Sequence, residues 1–189
     1  MPKKALNIPN LLSILRILIA PLLLAAAAAD LPDIFLFLFI LSLLSDALDG
    51  FLARRLNQVS EWGAQLDSWG DLATYLVAPL GVWLLWPMLV RQELIFILLG
   101  LAGFLLPVLL GFCKFRRLTS YHTHAAKIAA ILLGITTPLM LIGGPVYPFR
   151  IAIIVFLIAE LEEVAITLRL KRWQANIPSI FHCNRLPPG

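Results

Sequence analysis

The sequence predicts an all-α integral membrane protein of six transmembrane helices with both termini in the cytoplasm. Three observations carry that expectation: too little polar surface for a water-soluble globule, apolar runs of spanning length, and basic residues gathered on one side. Of 189 residues, 60% are hydrophobic and only 14% charged, with a mean hydropathy of +0.90. Soluble domains are about half apolar and about a quarter charged, so a soluble enzyme and a disordered chain are both excluded. Cys113 and Cys183 are the only two cysteines. Without CxxC spacing they read as inert thiols rather than as a disulfide scaffold.

A spanning helix needs about 20 apolar residues. The sequence offers stretches at about 11–29, 34–55, 63–86, 94–112, 123–142 and 148–171. Breakers separate them: Asp30–Pro32, Asn57–Ser60, Trp86–Pro87, Thr119–Tyr121, and Gly143–Pro145 with Pro148. Six spans and short loops fill the length, so residues 1–189 are expected to form a single membrane domain. The chain carries neither an internal repeat nor inverted symmetry of the transporter kind.

Orientation follows from the basic residues. Six spans put Lys3, Lys4, Arg54, Arg55, Lys114, Arg116, Arg117, Lys127, Arg169, Lys171, Arg172 and Arg185 on one side, and only Arg91 and Arg150 on the other. Lys and Arg accumulate on the cytoplasmic side, which predicts a multi-pass inner-membrane protein. The net charge of +4 is then a topology signal with some attraction to anionic lipid, not a nucleic-acid footprint. Arg16 lies within the first stretch and would interrupt the apolar core of a cleavable signal. That stretch therefore reads as a retained span.

Four of the 11 acidic residues, Asp46, Asp49, Asp67 and Asp71, fall inside otherwise apolar segments. Each costs about 2.5–3.5 kcal/mol at a span centre and less towards an end, so the group requires compensation. Asp46, Asp49, Gly50 and Ala53 stand at i, i+3, i+4 and i+7, on one face of the second helix. Gly63, Asp67 and Asp71 follow at four-residue steps on one face of the third. The short connection predicts antiparallel neighbours, with both acidic faces at the cytoplasmic ends. Converging carboxylates in low dielectric stay ionised only beside cations. Oxygen donors without His or Cys favour Mg²⁺, Mn²⁺ or Ca²⁺ over zinc. Four aspartates suffice for two cations sharing ligands, an arrangement suited to phosphoryl transfer. Gly50 and Ala53 fit either close helix packing or, beside two carboxylates, the floor of a substrate pocket.

The run D-x-x-D-G-x-x-A-R-x8-G-x3-D-x3-D extends without a gap from Asp46 through Asp49, Gly50, Ala53, Arg54, Gly63 and Asp67 to Asp71. It resembles the signature of the CDP-alcohol phosphatidyltransferases, with eight fixed positions in 26 residues. The N-terminal N-I-P-N-L-L-S-I-L-R, with Asn10, Ser13 and Arg16, resembles the first helix of that family. The resemblance implies a six-helix membrane enzyme, usually a homodimer, that binds two Mg²⁺ or Mn²⁺ ions. An alcohol hydroxyl would attack the lipid-bearing phosphorus of CDP-diacylglycerol and release CMP. By position, Asp46, Asp49 and Asp67 would be metal ligands. Asp71 would be the catalytic general base, also touching a metal. Gly50 and Ala53 would form the cytidine pocket with Arg54 beside it, and Asn10 and Gly63 would line the substrate site.

The acceptor is less legible. Lys114, Arg116 and Arg117 read as a topology-setting loop, whereas Lys127, entering the fifth helix, fits an anion contact for the diphosphate or an acceptor phosphate. His122 and His124, two apart, do not share a helical face, and hydrogen bonding suits them better than metal binding. Glu160 and Glu163 share a face of the last span, beside Glu162, and fit either structural pairing or an acceptor cavity. Arg91 and Glu93 lie on the side away from the chemistry. Trp62, Trp69, Trp83, Trp86 and Trp173 read as interfacial anchors. Ser68 and the Ala78–Pro79 pair resemble serine-transferring members, and Leu72 stands where glycerophosphate-transferring members often carry Lys; the head group stays open. Intramembrane carboxylates also mark ion pathways, so the alternative is a divalent-cation channel or transporter. A pathway would distribute polar residues through the full depth of several spans, whereas these gather at one end of two.

Overall fold

A computed structural model of the chain describes residues 7–56, 58, 60–117, 121, 123–170, 172–174 and 177–181, the side chains of Arg54 and Glu61 excepted. Among them are six α-helices and no strand: α1 (Ile8–Ala28), α2 (Pro32–Arg55), α3 (Glu61–Leu85), α4 (Pro87–Phe115), α5 (His124–Leu141) and α6 (Tyr147–Arg169). Each expected span overlaps one helix. The largest difference is α4, which begins at Pro87 and runs 29 residues, because Pro in the first turn loses no helical hydrogen bond. Among the described residues α1, α2, α4 and α5 are long and apolar enough to cross a membrane. The other two are more polar, α3 carrying two aspartates and α6 three glutamates.

Local capping sets several helix starts. Asn7, Ser60 and Thr123 each accept, through the side chain, the backbone N–H three residues on, at Asn10, Gly63 and Ala126. Each bond satisfies one of the donors a helix start leaves open. The outward faces are apolar to a degree a soluble protein does not show. On α2, Ser42, Ser45 and Asp49 are buried with Phe35 and Phe39, while Ile34, Phe37, Leu44 and Leu48 are exposed. Apolar side chains outside, with polar ones turned into the interior, are what a lipid environment selects.

The chain forms two compact units, Met1–Gln92 and Glu93–Gly189. In the first, α1 packs along both α2 and α3, which meet each other over a much shorter length. The loop-length expectation of α2 and α3 as simple antiparallel neighbours is thus modified. A short connection limits how far two helices can separate, but small residues on α3 let α1 approach more closely. At the end away from the aspartates, the buried Phe35 ring fills the space left by Gly81. It lies 6.1 Å from the Phe39 ring and 5.9 Å from Trp86, centroid to centroid. Midway, the Ser42 and Thr74 hydroxyls meet at 3.4 Å.

In the second unit, α5 packs on α6, and Gly100 and Gly103 of α4 lie against Ile153 and Leu157 of α6. Glu93, fully buried, takes a two-pronged ion pair from Arg150, with Nε and Nη2 donating at 2.8 and 2.7 Å. Lys114 Nζ donates to the Thr167 and Leu168 carbonyls at 2.9 Å each, satisfying acceptors at the end of α6. Tyr121, Ile166, Leu170 and Ile177 make a small apolar cluster there.

Candidate active site

The last turns of α2 carry Asp46 and Asp49, the second and third turns of α3 carry Asp67 and Asp71, and the first turns of α1 carry Asn10, Ser13 and Arg16. All belong to the first compact unit. The i, i+3, i+6 spacing of the α1 residues turns all three inward, where each is buried. The acidic groups do converge, and they do so around Arg16.

Arg16 Nη1 donates to the Asp46 carboxylate and to Asp71 Oδ1 at 3.2 Å. Its Nη2 donates to Asp67 Oδ1 at 2.5 Å and to the Asp67 carbonyl at 3.2 Å, and lies 3.7 Å from Asp49 Oδ2. Ser13 Oγ donates to that Asp49 oxygen at 2.8 Å. The arginine side chain is 2% exposed, Asp49 6% and Asp67 14%, against 38% for Asp46 and 32% for Asp71. The cage therefore has a closed floor, Asp49 and Asp67, and an open rim, Asp46 and Asp71.

Two glycines make room for it. A Cβ on Gly70 would stand 2.6 Å from Arg16 Nε and 2.9 Å from Nη2. Nε itself is buried and has no hydrogen-bond partner among the described residues, because it faces this bare stretch of helix. A Cβ on Gly63 would stand 2.9 Å from Asn10 Oδ1 and 3.1 Å from Ser60 Oγ. The motif glycine thus admits the buried Asn10 side chain beside the cap of α3.

The donor set fits hard divalent cations. Asp46, Asp49 and Asp67 each offer a carboxylate oxygen, and the three lie within 4.8 Å of one another. One guanidinium among four carboxylates leaves three negative charges uncompensated in a partly buried site, so cations are required for all to ionise. Oxygen ligands alone favour Mg²⁺, Mn²⁺ or Ca²⁺.

Of the other expected site residues, Gly50 and Ala53 are half-buried, further along α2 towards its C-terminus. The Arg54 side chain lies outside the described residues, as do His122 and Cys183. Lys127 is exposed in the first turn of α5, and His124 is exposed beside it. Lys114 is tied to the end of α6, and the Arg117 guanidinium lies 5.1 Å from the Trp173 ring centroid. That stacking contact gives Trp173 a packing role besides interfacial anchoring. Glu160 is buried, and Glu162 accepts the Ile180 N–H at 3.0 Å. Ser68 Oγ bonds the Ala64 carbonyl at 2.9 Å, which ties it to its own helix.

A family model described as CDP-alcohol phosphatidyltransferase matches residues 6–168. The chain belongs to that family. It is therefore a membrane enzyme of the CDP-alcohol phosphatidyltransferase class, whose members act in phospholipid biosynthesis. Among its relatives is a CDP-diacylglycerol–serine O-phosphatidyltransferase of Methanocaldococcus jannaschii, 34% identical over 147 residues, covering 65% of this chain and 69% of the relative. A CDP-diacylglycerol–glycerol-3-phosphate 3-phosphatidyltransferase of Cereibacter sphaeroides is 32% identical over 151 residues, covering 73% and 67%. A CDP-diacylglycerol–inositol 3-phosphatidyltransferase 1 of Arabidopsis thaliana is 42% identical over 62 residues, covering 33% and 27%. No solved structure matches the chain. This phosphatidyltransferase is thus similar to enzymes with three different acceptors.

What sequence reasoning missed is the place of Arg16, together with the Ser13 bond to Asp49 and the slot at Gly70. A signal for Arg16 was present. A charged residue inside an apolar helix, three and six residues after two polar ones, faces the protein interior and pairs with opposite charge.

Proposed function

We propose that this enzyme moves the phosphatidyl group of CDP-diacylglycerol to an alcohol and releases CMP, using two divalent cations, Mg²⁺ or Mn²⁺, held by Asp46, Asp49, Asp67 and Asp71. The observation that carries the reading is the convergence of three carboxylate oxygens within 4.8 Å, with Asp71 on the open side of the same cage. When bound, the cations would neutralise charge on the diphosphate and on the departing CMP.

The protein's own groups do the rest. Asp71, partly exposed and one turn beyond Asp67, is the general base: it takes the acceptor hydroxyl proton as the oxygen bonds to the lipid-bearing phosphorus. The bond from that phosphorus to the CMP oxygen breaks, and CMP leaves with the electron pair. Asp46, Asp49 and Asp67, with Asp71 beside them, would hold the cations and so bring positive charge to the diphosphate. Gly50 and Ala53 form the cytidine floor with Arg54 near it, and Asn10 and Gly63 line the substrate site.

We read residues 1–189 as one domain with six spans, both termini in the cytoplasm, and a site at the cytoplasmic ends of α2 and α3, in an inner-membrane homodimer. The basic-residue asymmetry supports the orientation. In this setting the acyl chains stay in lipid while nucleotide and acceptor arrive from water. The candidate acceptors are glycerol 3-phosphate, serine, inositol phosphate or a similar alcohol. The test is an acceptor screen with purified protein, Mn²⁺ and CDP-diacylglycerol, with lipid products identified by mass spectrometry. One acceptor should yield its phosphatidyl ester together with CMP; no CMP with any acceptor would refute the reading.

A further inference from the structure

We infer that Arg16 is a resident counter-cation for the aspartate cage: it holds the four carboxylates together before the divalent ions arrive and gives way in part to them when they bind. The inference deepens the proposed function and rests on its two-cation reading.

The geometry is specific to arginine. One planar fork reaches side chains on two helices, Asp46 and Asp71 through Nη1 and Asp67 through Nη2, with Asp49 at 3.7 Å. A lysine, with one compact ammonium, cannot spread its donors along a planar edge in this way. The guanidinium is almost wholly buried and its remaining N–H faces the Gly70 slot, so α3 is shaped to receive it. Without such a charge, four carboxylates gathered at the ends of two helices would repel one another and drive α2 and α3 apart. With it alone, four acidic groups share one positive charge, and the cage still offers carboxylate oxygens that only further cations can neutralise. A cage that is organised but under-compensated is suited to capturing cations.

The contacts also suggest an order. Nη2 is anchored on the floor, by the Asp67 carbonyl as well as its carboxylate. Nη1 holds the rim residues Asp46 and Asp71, which are the more exposed. Arriving ions therefore compete with Nη1 first, while Nη2 keeps Arg16 in the site. Arg16 is a positioning residue in this account, acting through the aspartates.

The test uses the full-length protein in detergent, comparing wild type, Arg16→Gln, Arg16→Lys and Gly70→Ala. Thermal midpoints are read in EDTA and in saturating Mn²⁺, and Mn²⁺ affinity is read from the free-ion electron paramagnetic resonance signal. In EDTA, Arg16→Gln should melt roughly 5–10 °C below wild type, and saturating Mn²⁺ should restore most of that loss. Its Mn²⁺ affinity should equal or exceed wild type, by up to about tenfold, because a competing positive charge is gone. Arg16→Lys and Gly70→Ala should show smaller losses that Mn²⁺ also repairs. An Arg16→Gln midpoint equal to wild type in EDTA, or a folded Arg16→Gln that no longer binds Mn²⁺, would overturn the inference. Should Arg16→Gln fail to fold under both conditions, the Lys and Ala variants decide, and a loss in them that Mn²⁺ leaves unrepaired overturns it. Wild type that binds no Mn²⁺ would instead refute the two-cation reading beneath it.

Discussion

Asp71 and Asp49 sit in the same cage yet differ in ways that separate their roles. Asp71 is on the rim and touches Arg16 through one oxygen at 3.2 Å, whereas Asp49 is on the floor and bonded by Ser13. Asp71→Asn keeps the shape and most of the polarity but cannot take a proton. Turnover should fall by about 10²–10⁴-fold, while CDP-diacylglycerol binding, measured by retained radiolabelled nucleotide, stays close to wild type. Ser13→Ala leaves the Asp49 oxygen without its hydroxyl donor. It should cost about 1.5–3 kcal/mol, seen as a lower thermal midpoint, with Mn²⁺ binding weakened rather than lost. The aspartate spacing was legible in the sequence because a helix repeats in a fixed way, and one face holds residues three and four apart. The contacts of Arg16 were not legible, since they join residues 30 to 55 positions apart. A single basic residue near a span's end has an equally good topological explanation.

At the level of helices, the apolar stretches and their breakers foretold all six elements, since twenty apolar residues leave the backbone few ways to satisfy its hydrogen bonds in lipid. Helix neighbours were harder to foretell. Loop length argued for α2 beside α3, but α1 contacts both, because Gly63 and Gly70 on α3 admit Asn10 and Arg16. Glycines in membrane helices always carry a packing explanation, so sequence alone could not say which side chain fills each gap. Gly81 separates packing from chemistry. Its missing Cβ is replaced by the Phe35 ring, at the end of the unit away from the aspartates. Gly81→Ala should cost about 1–3 kcal/mol through overpacking, seen as a lower thermal midpoint, while CMP release per folded molecule is unchanged.

For the molecule as a whole, composition sufficed to exclude a soluble globule, and the side of the basic residues predicts where the site faces. Proteinase treatment of sealed inside-out vesicles should remove epitope tags from both ends of the chain, and right-side-out vesicles should protect both. The acceptor was beyond reach because the basic loop and the α6 glutamates carry no fixed spacing, and several take structural partners: Lys114 caps α6, and Glu162 holds the Ile180 N–H. The most direct measurement is CMP release from CDP-diacylglycerol by purified protein supplied with its acceptor, before chelation, after it, and after Mn²⁺ is returned. The account predicts turnover that disappears with the metal and comes back with it. Undiminished CMP release from fully chelated protein would contradict it.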